Sequence, residues 1–507
     1  MKTEKVKNLT GVFVATCLFV LISSQVANAV CIGASPTFYA ANPSNTEISA
    51  CVTAASSGDT IIVPAGSATW TGSVRIPNNK KLTIQGSGIG VTSIGNGTGT
   101  SYYLAIGLSG SRITGFTFNN MNVLYNGSGF RIDHNYFYGA TSGIKSDEGM
   151  DETYAIPTGL IDNNSFLNGS IVVGAGPMLN HTDWTLPTNL GKGNDAIYIE
   201  DNRFVKDSNS VEYCVDGSYG GAYVLRYNTI SGYYYAGHSV QGANRALKRW
   251  EIYGNLQTAT DGINTYYATR LRAGTGVVFF NRFGGSWGWD GKKYIGLDNK
   301  RDTVDVTTYG KCDGTHAGVD GNEDATGYPC RDQIGRGPDA TLWNGTDGTY
   351  TQPLEPAYFF ANIGDSGNAS VDVLTGSTDH IKANRDYYTH NASFNGTSGV
   401  GCGTLANRPA TCTTGVGYWA TNQSCTDMTG MVGAVDPEGA RPDVTYKISG
   451  TLYKCTATNT WTPYYTPYTY PHPLRGESDT DPPTGAKATI GSGAAVTLGS
   501  GAVGTLY

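Results

Sequence analysis

Ten cations crowd one part of this chain. Arg245, Lys248, Arg249, Arg270, Arg272, Arg282, Lys292, Lys293, Lys300 and Arg301 are interrupted only by Glu251, Asp261, Asp290 and Asp298, so residues 245–301 carry +6. Guanidinium groups grip carboxylates through paired, parallel hydrogen bonds. A basic surface on an acidic protein therefore suits an anionic polymer such as a uronate polysaccharide. The alternative is that these cations pair with Glu251, Asp290 and Asp298 on a solvated face. Upstream, His238 stands in Tyr233-Tyr-Tyr-Ala-Gly-His-Ser-Val-Gln-Gly242, either as a proton-transfer group or as a hydrogen-bonded structural imidazole. Downstream, Asp320, Asn322 and Asp324 alternate, offering three oxygen ligands suited to Ca²⁺. Ala325 and Arg331 stand where an EF-hand needs Gly and Glu, and a solvated acidic loop is the other reading.

The elements that position these groups are β-rich. Charged residues make up 15% of 507, against about 25% in an average soluble protein. With 33 Tyr, 15 Phe and 8 Trp there is ample surface to bury, which excludes a disordered chain. The abundance of Gly, Thr, Asn and Tyr argues against a helical bundle. Lys2, Lys5 and Lys7, an apolar run from Val12 to Ile22, and Ala27-Asn-Ala29 predict a signal peptide over 1–29, with export to the extracellular space, cell surface or periplasm. That run is too short to span a bilayer, which takes about 20 residues. The remainder holds 31 basic and 40 acidic residues, a sign that disfavours nucleic acid as a partner. Nine cysteines remain. Their proximity suggests Cys31–Cys51, Cys312–Cys330, Cys402–Cys412 and Cys425–Cys455 with Cys214 left over, although spacing does not fix connectivity.

One hexamer recurs: an apolar residue, two variable ones, Asn, a variable one, a hydrophobic one. It reads Ile132-Asp-His-Asn135-Tyr-Phe137, Ile161-Asp-Asn-Asn164-Ser-Phe166, Ile199-Glu-Asp-Asn202-Arg-Phe204, Leu225-Arg-Tyr-Asn228-Thr-Ile230, Ile252-Tyr-Gly-Asn255-Leu-Gln257 and Val278-Phe-Phe-Asn281-Arg-Phe283. Ile113-Thr-Gly-Phe116-Thr-Phe118 keeps the apolar positions with Phe in place of Asn. The Asn spacings are 29, 38, 26, 27 and 26 residues. Such periods predict stacked coils of three short strands, each burying what its neighbour cannot bury alone. The Asn is expected at a left-handed bend, with its amide bonding to the coils above and below. On that stacking, Arg249, Arg272 and Arg282 would line up as a basic stripe.

With Gly58-Asp-Thr-Ile-Ile-Val-Pro64-Ala-Gly66 and Leu82-Thr-Ile-Gln-Gly86-Ser-Gly88, this pattern resembles the pectate-lyase-like superfamily over approximately residues 45–385. The resemblance implies an all-β, right-handed parallel β-helix over 30–385, opened by a short capping helix. Residues 386–475, with four cysteines, are expected to pack on it, and the interleaved prolines of their aromatic end at 461–473 predict an extended strip along its side, with a sugar-stacking aromatic platform as the alternative. Residues 476–507 form a Gly/Ala/Ser/Thr-rich tail. The implied activity is binding of an acidic polysaccharide, with cleavage by β-elimination. There a basic residue removes the proton α to a carboxylate that Ca²⁺ or Arg has neutralised. His238, Arg245, Lys248, Arg249 and Arg272 are the candidates for that chemistry, and Arg270, Arg282, Lys292 and Lys293 for substrate binding. His238 superficially resembles the Gly-His segment of polygalacturonases, but the paired aspartates of that family are absent. A non-catalytic surface or matrix protein is the alternative, and a glycoside hydrolase ranks third.

Overall fold

Short runs of alternating apolar and polar residues, punctuated by Gly and Asn, can form only short strands, and the chain is built from them. The structure is a computed structural model. It describes residues 30–476 apart from 98, 109, 140, 148–156, 175–181, 194, 208–212, 241–244, 261–266, 288–292, 300–311, 313–329, 340–351, 375 and 435–446. The expected signal peptide, the tail from 477, Lys292, and the Asp320/Asn322/Asp324 loop all lie outside the described residues.

The protein is all-β, with three long sheets that the chain visits in rotation. Within a circuit it passes, for example, from Thr158–Asp162 in the first sheet to Ser165–Leu167 in the second and Ser170–Val173 in the third. Each strand pairs in parallel with its counterparts in the preceding and following circuits. A helix at Asn45–Ala54, capped by the Ser44 hydroxyl, precedes the first circuits, as expected. Two rims reverse direction. Cys31–Ala34 pairs antiparallel with Thr37–Ala40 at the start of the first sheet, and Gly367–Asn368 pairs antiparallel with Ile363–Gly364 at the far edge of the second.

The interior is a set of vertical files. Ile113, Ile132, Ile161, Ile199, Leu225 and Ile252 stack along the first sheet, all fully buried. Phe118, Phe137, Phe166 and Phe204 stack along the second, with ring centroids 4.6–5.1 Å apart. Gln257 takes a Phe position in this file, where its Nε2 donates to the carbonyls of Tyr233 and Ala268 and its Oε1 has no partner among the described residues.

Between the first and second sheets the repeated asparagines form one continuous file. Nδ2 of Asn135 donates to Oδ1 of Asn164 (3.1 Å), and the relay continues through Asn202, Asn228, Asn255 and Asn281. It ends at Asn362, reached from Asn281 at 2.9 Å. The Phe116 backbone N–H caps its start by donating to Oδ1 of Asn135. The bend itself differs from expectation. The left-handed residue is the one before each Asn: His134, Asn163, Asp201, Tyr227, Gly254, Phe280 and Ala361 have φ of 50–68°. That twist turns the following Asn inward, where its amide satisfies backbone groups that the corner would strand.

The C-terminal region forms a small sheet of Val400–Gly403, Gly417–Ala420, Thr451–Ala457 and Thr460–Tyr465. Its Trp419 packs on Phe279, Phe280 and Phe360 of the first-sheet region. Residues 461–465 are therefore laddered and not the expected extended strip. Pro463 is accommodated because its strand is the edge of that sheet, where one missing N–H costs no ladder bond. Beyond Tyr465 the chain leaves the ladder and passes into a short 3-10 helix at Pro473–Arg475. The disulfides among the described residues are Cys31–Cys51, Cys312–Cys330, Cys402–Cys425 and Cys412–Cys455, and Cys214 is buried outside any disulfide. The last two correct the expected Cys402–Cys412 and Cys425–Cys455. Pairing of Gly417–Ala420 with Thr451–Ala457 brings Cys455 to the segment that carries Cys412, and neighbours in sequence lose to neighbours across the sheet.

Candidate functional site

Stacking decides which charges meet. On the outer face of the third sheet one column reads Lys145, Val172, Asp216, Ala236, Arg270, Gly296, Asp372. Every second rung carries a charge and the rung between carries a small or apolar residue. With strands about 4.8 Å apart, like positions recur at about 10 Å. The adjoining outward positions, just past the strand ends, hold Asp147, His238, Arg272 and Asp298. The backbone N–H groups of Asp147, His238 and Asp298 continue the ladder onto Tyr125, Gly217 and Leu271.

At the centre, Nε2 of His238 lies 2.8 Å from Oδ2 of Asp216. The His238 side chain is 28% exposed and that of Asp216 9%. With the Nε2 proton held on Asp216, the Nδ1 lone pair is the one directed elsewhere, and it has no partner among the described residues. Oδ1 of Asp216 is buried and also has no partner among them. Two rungs on, Nε of Arg270 bonds Oδ2 of Asp298 at 3.1 Å, while Arg272 lies 3.7 Å from its Oδ1. Two guanidinium groups share this one carboxylate. Lys293 reaches Asp372 at 3.3 Å.

The structure thus gathers His238, Arg270, Arg272 and Lys293 on one face, and the other described candidates lie elsewhere. Arg249 is on the first sheet, bonded to Glu251, and Arg282 on the second, bonded to Asp365. The expected stripe of Arg249, Arg272 and Arg282 does not form, because near-coil spacing puts residues on successive circuits without putting them on one sheet. Arg245 is fully buried, stacked on Trp184 and paired with Asp332 through two bonds of 2.8 and 2.6 Å. Nζ of Lys248 donates to the carbonyls of Leu186 and Pro187. The +6 of residues 245–301 is largely answered by acids outside that stretch, Asp332, Asp365 and Asp372 among them, which a count along the sequence could not reveal.

The outer face of the first sheet is already occupied. Arg226 donates to the carbonyls of Tyr468 and Thr469, Tyr470 donates to Asp201, and the His472 N–H donates to Glu200. Arg475 then meets three buried carboxylates: Asp162 at 3.3 Å, Glu200 at 3.1 Å, and Asp201. Burial alone would push the Glu200 carboxyl up, and the guanidinium groups of Arg226 and Arg475 hold it below its ordinary value instead.

Asp216 and Lys145 escaped the sequence reading, whereas Asp298 and Glu251 pair with cations of the 245–301 stretch as its alternative expects. Asp216 stands alone among apolar neighbours, and only the register with His238 one circuit later gives it a role. No cluster of three or more His, Cys, Asp or Glu that could hold a metal occurs among the described residues. The chain matches no family model, no curated protein and no solved structure.

Proposed function

We propose that this chain is an exported right-handed parallel β-helix protein of the pectate-lyase-like kind, which binds an acidic polysaccharide along the outer face of the third sheet and cleaves it by β-elimination. The Asp216–His238 pair, with Arg270 two rungs from Asp216 in the same column, is the observation that carries this reading. His238 takes the proton α to a uronate carboxylate on Nδ1. The C–H electron pair forms the new double bond, and the glycosidic oxygen on the adjacent carbon departs and is protonated by solvent. Asp216 fixes the imidazole and stabilises its cation. The guanidinium groups of Arg270 and Arg272 meet the carboxylate, whose charge grows as the proton leaves.

The test uses pectate, alginate and glycosaminoglycans, following ultraviolet absorbance of unsaturated uronate and, separately, new reducing ends. Absorbance is expected, and His238→Ala should lower its rate by about 10²–10⁴-fold. Reducing ends without absorbance would identify a hydrolase. Retention on a polysaccharide gel with neither product would identify a binder. A non-catalytic surface protein is the second reading. It is favoured by the pairing of Arg245, Arg249, Arg270, Arg282 and Lys293 with carboxylates of the chain itself.

A further inference from the structure

The file of amides runs one way. Each Asn from 135 to 281 gives both its backbone N–H and one Nδ2 hydrogen to the Oδ1 of the next; for Asn281 these bonds to Asn362 are 3.2 and 2.9 Å. Asn362 has no successor. Its Nδ2 reaches back to the Val278 carbonyl at 2.8 Å, and its forward pair of donors meets no acceptor among the described residues. Asn362 is 5% exposed, too enclosed to hand these donors freely to bulk water. Hydrogen bonds aligned in series polarise one another, so the donors at the end of this relay are strengthened.

A cavity of about 260 Å³ opens at this point, lined in part by Phe359, Asn362, Asn368, Ser370, Thr389 and His390. Nδ1 of His390 is buried with no hydrogen-bond partner among the described residues. Burial also lowers the basicity of this imidazole, which keeps it neutral. Among the described residues, no Asp, Glu, Lys or Arg lines the cavity. Its wall combines apolar rings with amide, hydroxyl and imidazole groups, which is the chemistry that suits a neutral pyranose, and excludes an uncompensated charge.

We propose that this cavity binds a neutral sugar residue, one oxygen of which accepts the two forward donors of Asn362 in place of the missing next amide. Asn368, Ser370, Thr389 and His390 serve its remaining hydroxyls. This site is separate from the third-sheet column and does not depend on it.

Calorimetric titration of the full chain with galactose, glucose and galacturonate tests the proposal, with Ser370→Trp as the blocking variant. Ser370 is an exposed residue of the lining, so an indole there closes the mouth without entering the coil interior. Saturable binding of at least one neutral sugar is expected, with galacturonate about tenfold weaker and Ser370→Trp weakening the neutral sugar about tenfold. If that variant melts below the parent, His390→Leu removes the unpartnered nitrogen instead. No saturable binding of either neutral sugar, tighter binding of galacturonate, or affinity unchanged in both variants would each overturn the site. None of these results bears on β-elimination at His238.

Discussion

Replacing Asn228 by Leu removes five hydrogen bonds at once. Its Nδ2 donates to the carbonyls of Ile199 (2.9 Å) and Arg226 (3.0 Å) and to Oδ1 of Asn255 (3.0 Å). Its Oδ1 accepts from the backbone N–H (2.9 Å) and Nδ2 (3.1 Å) of Asn202. Not all of these losses are equal. Nδ2 of Asn202 keeps two carbonyl partners, and Oδ1 of Asn255 keeps the Asn228 backbone N–H. The Asn202 backbone N–H is left with nothing, and a buried orphan donor costs about 1–3 kcal/mol. Adding the two deprived carbonyls gives a total loss of about 3–5 kcal/mol, while the apolar Leu keeps out a substitute water. Asn362→Leu removes only three bonds and should cost less. Guanidinium unfolding followed by circular dichroism reads the totals. Because stacked coils can open in stages, hydrogen exchange at the Asn202 amide reads the local effect directly. A loss below about 1 kcal/mol for Asn228→Leu, or equal losses for the two variants, would refute the view that the file is a principal support of the fold.

Arg475→Ala removes the cation shared by Asp162, Glu200 and Asp201, which keep Arg131, Arg226 and the Tyr470 hydroxyl as partners, and should destabilise by about 1–3 kcal/mol, with faster proteolysis beyond Tyr465 as the readout. Acidification should weaken the same face. Burial would raise Glu200 and Asp133, but Arg226 and Arg475 hold the first below its ordinary value and Arg112 and His134 hold the second low. Their contribution is full above the ordinary carboxylate range and is lost as pH falls through the depressed values. Asp162, which burial raises despite Arg131, offsets part of it, and the net result is a melting temperature that falls with pH below about 4.5. Peptide mapping should find Cys402 joined to Cys425 and Cys412 to Cys455. Cys214, whose thiol burial pushes far up, should resist alkylation until the protein unfolds.

The coil repeat was legible because its physics is local: an apolar residue three before the Asn and another two after it must both face inward, and the sequence repeats that demand every circuit. Asn362 escaped because 81 residues separate it from Asn281 and Gly364 ends its hexamer where a large apolar residue is expected. The left-handed position was misplaced by one residue because propensity pointed to Asn itself, while the neighbours that take the strain are as varied as His134, Tyr227 and Phe280. The charge cluster misled for a different reason. Summing charge along the chain treats sequence neighbours as spatial ones. Here the partners of Arg245 and Arg282 lie 87 and 83 residues away.

A stack of like rungs has no inherent reason to stop growing, and an untreated rim would template a second molecule. The reversed strands at Cys31–Ala34 and Gly367–Asn368 change the bonding pattern from slanted to perpendicular at those two rims, so an incoming parallel chain finds the wrong lattice. At these two edges further growth is chemically disfavoured. Trimming either rim would expose a parallel edge on which another copy could stack.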